Sequence, residues 1–229
     1  MPQGSVWENE YQNPQLITKD DEPQKDILRF FRFLKKEEGV ELENLAVLDL
    51  GSGTGRNANY LAKLGNKVIG LEISPTAINL AKSRAKSIKI EVNYQLHDIG
   101  SEYPFNNETF DLVLDVTSSN SLNGKERDIY LSEVLRVLKK GGYFFVKGLC
   151  KDGDKNAKAL IKKNPGQELD TYINEDMNLI ERVFTQQDFI SLYSKYFKII
   201  KLLKKTNYTR FKEQSYKRNF WLAYMKKLF

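Results

Sequence analysis

Short apolar runs alternate with longer amphipathic stretches along the first 150 residues of the chain. Ile27, Phe30, Phe31 and Leu34 recur at helical spacing, with Pro23 expected at the first helical position and Gly39 as the stop. Ala46–Leu50 reads as a buried strand, followed by a glycine-rich turn and a helix over about 55–65. Lys67–Glu72 is a second strand. Ser74 with Pro75 opens a helix running to about Lys86. Glu91–Leu96 and Asp111–Val116, the latter led by Phe110, are the third and fourth strands. Gly124–Leu138 is an amphipathic helix. The run Lys139-Lys140-Gly141-Gly142 reads as its stop, and Tyr143–Leu149 as the fifth strand. Strands separated by helices of this length form right-handed crossovers and a parallel sheet.

The alternation then pauses. Residues 151–184 are long and polar, and a connection of this length inside a domain reads as an insert or lid. Thr185 and Asp188 signal another helix start. Phe197–Leu203 and Phe220–Met225 read as the last strands, joined by the basic stretch Lys204–Arg218. Residues 1–22 show no helical period and read as an arm, leaving 23–229 as a single domain.

Composition narrows the chemistry. One cysteine among 229 residues excludes an intramolecular disulfide framework and a cysteine-cluster metal site, and the single histidine, His97, removes His-rich zinc chemistry and argues against a conventional Ser-His-Asp triad. No metal is expected. The N-terminus has no signal-peptide pattern and no apolar run is long enough to cross a membrane, so a cytoplasmic protein is expected. The net charge of +6 is uneven: residues 185–229 hold eleven Lys/Arg against two Asp/Glu. A local basic excess suggests a local anionic partner, beside the plainer reading of a solvated face.

Asp49-Leu50-Gly51-Ser52-Gly53-Thr54-Gly55 lies where the first strand becomes a helix. Glycines there let a ligand lie against bare backbone. The turn lacks GxxxxGK[ST], and Arg56 replaces the last glycine of GxGxxG, so neither a P-loop nor a dinucleotide fingerprint is present. The segment VLDLGSGTGRNANYLAKLGNKVIGLEIS, Asp98, FDLVLD and YLSEVLRVLKKGGYFFV together resemble, in order and spacing, the class I S-adenosylmethionine-dependent methyltransferases. The resemblance is close over 23–150 and extends to 185–229 by topology.

It implies an α/β fold: a Rossmann-like, doubly wound, seven-stranded sheet, mostly parallel with an antiparallel last strand. The implied cofactor is S-adenosyl-L-methionine, with S-adenosyl-L-homocysteine as product. By resemblance, Asp49, Gly51, Ser52, Gly53 and Gly55 cradle its methionine part, Glu72 takes the ribose hydroxyls, Ile73 flanks the adenine, and Asp98 with Ile99 reads the adenine edge. Asp115, at the end of the fourth strand, is expected to hold the cofactor's ammonium or take a proton from the acceptor. A buried acid satisfied by backbone amides is the alternative. His97, next to Asp98, reads as structural.

Asp115-Val116-Thr117-Ser118 departs from the Asn/Asp-Pro-Pro-aromatic motif of amino-methylating DNA enzymes, so DNA is not the expected acceptor. The expected acceptor is a small, anionic molecule. Tyr11, Arg210 and Arg218 are its candidate contacts, and Trp7 joins Tyr11 as a candidate for closing the site. Aromatics interleaved with bases in 204–218 keep RNA open as an acceptor. A cofactor-binding module without turnover is the competing class. Neither the acceptor atom nor the oligomeric state is legible.

Overall fold

The computed structural model describes residues 3–14, 21–211 and 214–228, with backbone only at 209–211 and 214. The elements run α1 (Gly4–Gln12), α2 (Lys25–Glu37), β1 (Ala46–Leu50), α3 (Arg56–Lys63), β2 (Lys67–Glu72), α4 (Pro75–Ser87), β3 (Asn93–Leu96) and β4 (Phe110–Val116). There follow a short 3-10 turn (Ser119–Ser121), α5 (Gly124–Val137), β5 (Leu138–Leu149), α6 (Lys155–Lys163), β6 (Thr171–Asn174), β7 (Leu179–Arg182), α7 (Gln186–Tyr193), β8 (Lys198–Phe211) and β9 (Gln214–Lys226). Seven strands form one sheet in the order β3-β2-β1-β4-β5-β9-β8. All neighbours are parallel except β9, which is antiparallel to both β5 and β8. This is the expected fold class.

Alternation along the strands separates two apolar layers. One face sends Val47, Val68, Leu112, Leu114 and Phe145 against Phe30, Leu34, Leu61 and Ile78 of α2, α3 and α4. The other sends Leu48, Leu50, Val113, Phe144 and Val146 against Tyr130, Val134, Phe189 and Tyr193 of α5 and α7. The strand order reverses between β1 and β4, and the carboxyl ends of the strands there form a crevice suited to ligands.

Local chemistry explains the helix starts. Ser74 Oγ accepts from Ala77 N ahead of α4, and Thr185 Oγ1 accepts from Asp188 N ahead of α7. Asn123 and Glu126 close a reciprocal capping box on α5.

Four expectations change. Residues 4–12 are helical despite lacking a periodic apolar face. Tertiary contacts supply the stabilisation: the Glu8 carboxylate accepts from Ser74 Oγ, Thr76 Oγ1 and Thr76 N, and Gly4 lies against Ile73. Pro23 precedes α2 rather than opening it, because Gln24 is the extended cap. Gly141-Gly142 is not a helix stop. The helix ends at Val137, and the glycines sit inside β5, where Gly141 has φ +74° and a Cβ on Gly142 would fall 2.8 Å from Lys139 O. Residues 204–211 and 214–218, expected only to join the last two strands, form the outer half of a long β8–β9 ribbon, paired to each other beyond the end of β5. Residues 151–184 hold α6 and the β6–β7 hairpin.

Candidate functional site

A cavity of about 390 Å³ opens at the carboxyl edge of the sheet. The strand ends deliver its walls: Gly51–Thr54 after β1, Glu72 and Ile73 at β2, His97–Ile99 after β3, Val116–Ser118 at β4, Lys147 and Leu149 on β5, and Arg218 and Phe220 on β9. Gln3, Trp7 and Tyr11 of the amino-terminal segment close one side.

At the turn, Gly51, Gly53 and Gly55 all have positive φ, at +63°, +55° and +80°. A Cβ on Gly51 would meet Ser118 Oγ at 2.2 Å, and one on Gly53 would meet the Tyr11 hydroxyl at 2.7 Å. Glycine is required for both the angle and the approach. Glu72 is buried. Its Oε2 accepts from Gly53 N, and its Oε1 accepts from Ile73 N and Ser74 N. A carboxylate offers about four acceptor sites, so three amides leave room for one further donor rather than the two that ribose would present. Burial raises the Glu72 pKa against these amides. Burial, followed by the charge of Glu72, raises the Tyr11 hydroxyl well above its ordinary value, keeping it a neutral donor.

Asp49 is fully enclosed behind the turn rather than on the cavity wall, and its Oδ2 has no hydrogen-bond partner among the described residues. Burial pushes its pKa up to about 7, and the nearby Asp115 and Glu72 carboxylates add to the shift. Ser52 Oγ is likewise buried and unpartnered among the described residues. Bare glycine backbone, an unpartnered hydroxyl and a buried acid with one unpartnered oxygen fit a cationic ligand that carries no phosphate.

The Asp115 carboxylate does not line the cavity. It is 0% exposed; Oδ1 accepts from Ser118 N and Ser119 N, and Oδ2 accepts from the Tyr130 hydroxyl. Burial raises its pKa, and those donors oppose the rise. This geometry fits an acid that anchors the loop after β4 and has no reach to an acceptor.

Asp98 lines the cavity while its Oδ1 accepts from Gly100 N, and Ile99 lies beside it. His97 Nε2 lies 3.1 Å from Ser101 Oγ, and its ring meets Tyr103 edge-on. Arg218 reaches the wall with Nη2 donating to the Tyr172 hydroxyl and Nε 3.4 Å from Asp154 Oδ2. The side chain of Arg210 lies outside the described residues.

Sequence reasoning missed two residues here. Lys147 is a lone lysine in the apolar run Tyr143–Leu149, and that isolation was the available signal. Gln3 gave none. Its amide donates to Ser121 O at 2.7 Å and pairs both ways with Ile180, as Nε2 to O and as N to Oε1. It ties α1 to the loop after β4 and to the β6–β7 hairpin.

A seven-stranded sheet of this order, with a glycine turn after β1 and an acid at the end of β2, defines a Rossmann-like methyltransferase class of fold. Residues 47–142 match a family model described as a methyltransferase domain, which supports a class I S-adenosylmethionine-dependent methyltransferase domain in this part of the chain. It is 28% identical over 127 residues to a ubiquinone biosynthesis O-methyltransferase of Pelagibacter ubique, covering 56% of this chain and 50% of that protein. It is 34% identical over 107 residues to a fatty-acid O-methyltransferase of Mycolicibacterium smegmatis, covering 46% of this chain and 37% of that protein. The matches to these relatives therefore span half of their length or less. The Burkholderia thailandensis 1,6-didemethyltoxoflavin-N1-methyltransferase, solved with that substrate and S-adenosylhomocysteine bound, shares the fold. Its TM-score is 0.69 at 17% identity, covering 98% of this chain and 86% of that one.

Among the described residues, no group of His, Cys, Asp and Glu is arranged to hold a metal ion, and no helix is long and apolar enough to cross a membrane.

Proposed function

We propose that this chain transfers a methyl group from S-adenosylmethionine to a small acceptor that carries an anionic group. One observation supports this reading above the rest: a single small cavity joins the glycine turn, Glu72 and Asp98 to Lys147 and Arg218. The cofactor supplies an electrophilic methyl on a sulfonium centre. The chain's residues bind, orient and exclude water. The 51–55 turn lets the cofactor lie against bare backbone, Glu72 and Asp98 offer acceptors, and Trp7 and Tyr11 cover the site with α1. Orientation alone supplies much of the acceleration of such a displacement, with effective molarities of about 10⁵–10⁸ M. No dedicated base is needed for an acceptor that is already ionised. A fatty-acid O-methyltransferase among the relatives, named for a carboxylic acid, supports an anionic acceptor.

Asp49 gives a test through pH. With its pKa raised to about 7, its contribution to stability is fully present below the ordinary carboxylate value and is lost as pH rises through 7. Ionised Asp49 favours a cation in front of it. The association constant for S-adenosylmethionine is therefore expected to rise about tenfold from pH 6 to 8, as follows from one linked proton. Asp49→Asn should flatten that rise. A profile equally steep in the variant would remove Asp49 from the cofactor site.

A further inference from the structure

Lys147 stands on β5 with its backbone fixed in the sheet: its carbonyl accepts from Thr117 N at 2.8 Å. Its side chain is 7% exposed and lines the cavity. The ammonium donates to Gln24 Oε1 at 3.1 Å, lies 3.0 Å from Asp26 Oδ2 and sits over the Phe220 ring, 4.8 Å from its centre. An ammonium has three donors, so one N–H has no oxygen acceptor among the described residues.

A counter-ion role for Asp26 does not account for this lysine. Asp26 also receives the ammonium of Lys205 and lies 3.5 Å from Arg29. One negative charge thus faces three positive ones, of which only the Lys147 ammonium is buried and lines the cavity. Arg56 and Arg218 line the same cavity, together with the carboxylates of Glu72, Asp98, Glu126 and Glu181. Phe220, beneath the ammonium, and Leu149, Leu122 and Val116 supply apolar wall to the same cavity. A buried ammonium whose counter-ion is shared with other cations is only partly neutralised, and an anion that comes to meet it is favoured.

We infer that Lys147 reads an oxyanion carried on an apolar frame, an arene carboxylate or phenolate, at the acceptor end of the cavity. The inference rests on the proposed methyltransferase reading and narrows its acceptor class. Lys147 holds the acceptor in its ionised form. The acceptor's proton leaves to solvent before transfer, and the oxygen lone pair then forms the new O–CH₃ bond as the C–S bond breaks. The electron pair stays on sulfur, which becomes a neutral thioether.

The test uses the full chain and calorimetric titration with benzoate, its neutral isostere benzamide and 4-nitrophenolate, each with and without saturating S-adenosylhomocysteine. Wild type is expected to bind at least one of the anions tenfold or more tightly than benzamide. Which anion it prefers separates carboxylate from phenolate. Lys147→Met should reduce that preference to within about twofold while keeping the benzamide affinity, and Lys147→Arg should retain it. Met at 147 leaves Asp26 paired with Lys205 and Arg29, so the fold is expected to hold. If it does not, the anion-to-benzamide ratio on wild type and the Arg variant decide. Equal binding of anion and amide, no binding of either anion, or a preference that survives Lys147→Met would overturn the inference. Failure of S-adenosylhomocysteine to bind folded wild type would instead sink the methyltransferase reading, with the cofactor-free titrations still reporting on Lys147.

Discussion

Asp26→Asn is expected to lower stability by about 3–5 kcal/mol, the range for removing one partner of a buried ion pair. Asp26 is 2% exposed and is the shared carboxylate for Lys147, Lys205 and Arg29. Asparagine keeps the shape but leaves the Lys147 ammonium buried beside an uncharged amide. At about 2–4 °C per kcal/mol for a chain of this size, the melting temperature should fall by roughly 6–20 °C. The pH dependence has a definite sign. Burial alone would raise the Asp26 pKa, but the hydrogen bond from Lys205 and the charge of Lys147 hold it below the ordinary value. Its stabilisation is therefore present above that ordinary value and lost as pH falls through the lowered one. Thermal melts from pH 7 down to 3 should show the gap between wild type and variant narrowing. A variant that melts with wild type at pH 7 would show that the cation cluster is not held by Asp26.

The second large effect is at the turn. Gly55→Ala combines a left-handed φ of +80° with a Cβ 2.2 Å from the Tyr94 hydroxyl and 2.9 Å from Ala81 Cβ. The backbone cost is about 1–2 kcal/mol and the overpacking cost about 1–3 kcal/mol, so a loss of about 2–5 kcal/mol is expected. Gly39→Ala is the matched control: φ is +68° and nothing lies within 4 Å of the added carbon. It should show the backbone cost alone. Chemical denaturation of both variants reads the difference directly. Equal losses would mean that α4 and Tyr94 yield to the extra methyl and that the turn is not tightly packed.

The parts of this molecule set by local backbone chemistry were legible in its sequence. The Asp49–Gly55 turn, the Ser74 cap and the Thr185–Asp188 start follow from residues within a few positions of each other, whereas the fold class came from the family resemblance. Helix α1 was not legible, because its stabilisation comes from Ser74 and Thr76, more than sixty positions away. The Gly141-Gly142 pair misled because a glycine pair serves equally as a helix stop or inside a strand. Its use as the latter depends on the pairing of Phe110 with Leu138. The sequence leaves two readings of Asp115, an acid facing ligand and a buried acid satisfied by backbone amides. Only the fold shows the Tyr130 hydroxyl and two amides turning it inward. Lys147 gains its meaning from Gln24 and Asp26, more than a hundred positions earlier in the chain.

The central claim is that the glycine turn and the acid at the end of β2 form a pocket for S-adenosylmethionine. Calorimetric titration of S-adenosylhomocysteine into wild type and Glu72→Ala tests it most directly. Micromolar binding that weakens by about 10–100-fold in the variant, equivalent to about 1.4–2.7 kcal/mol, is the predicted result. Absence of binding to folded wild type, or equal affinity in the two proteins, would contradict it.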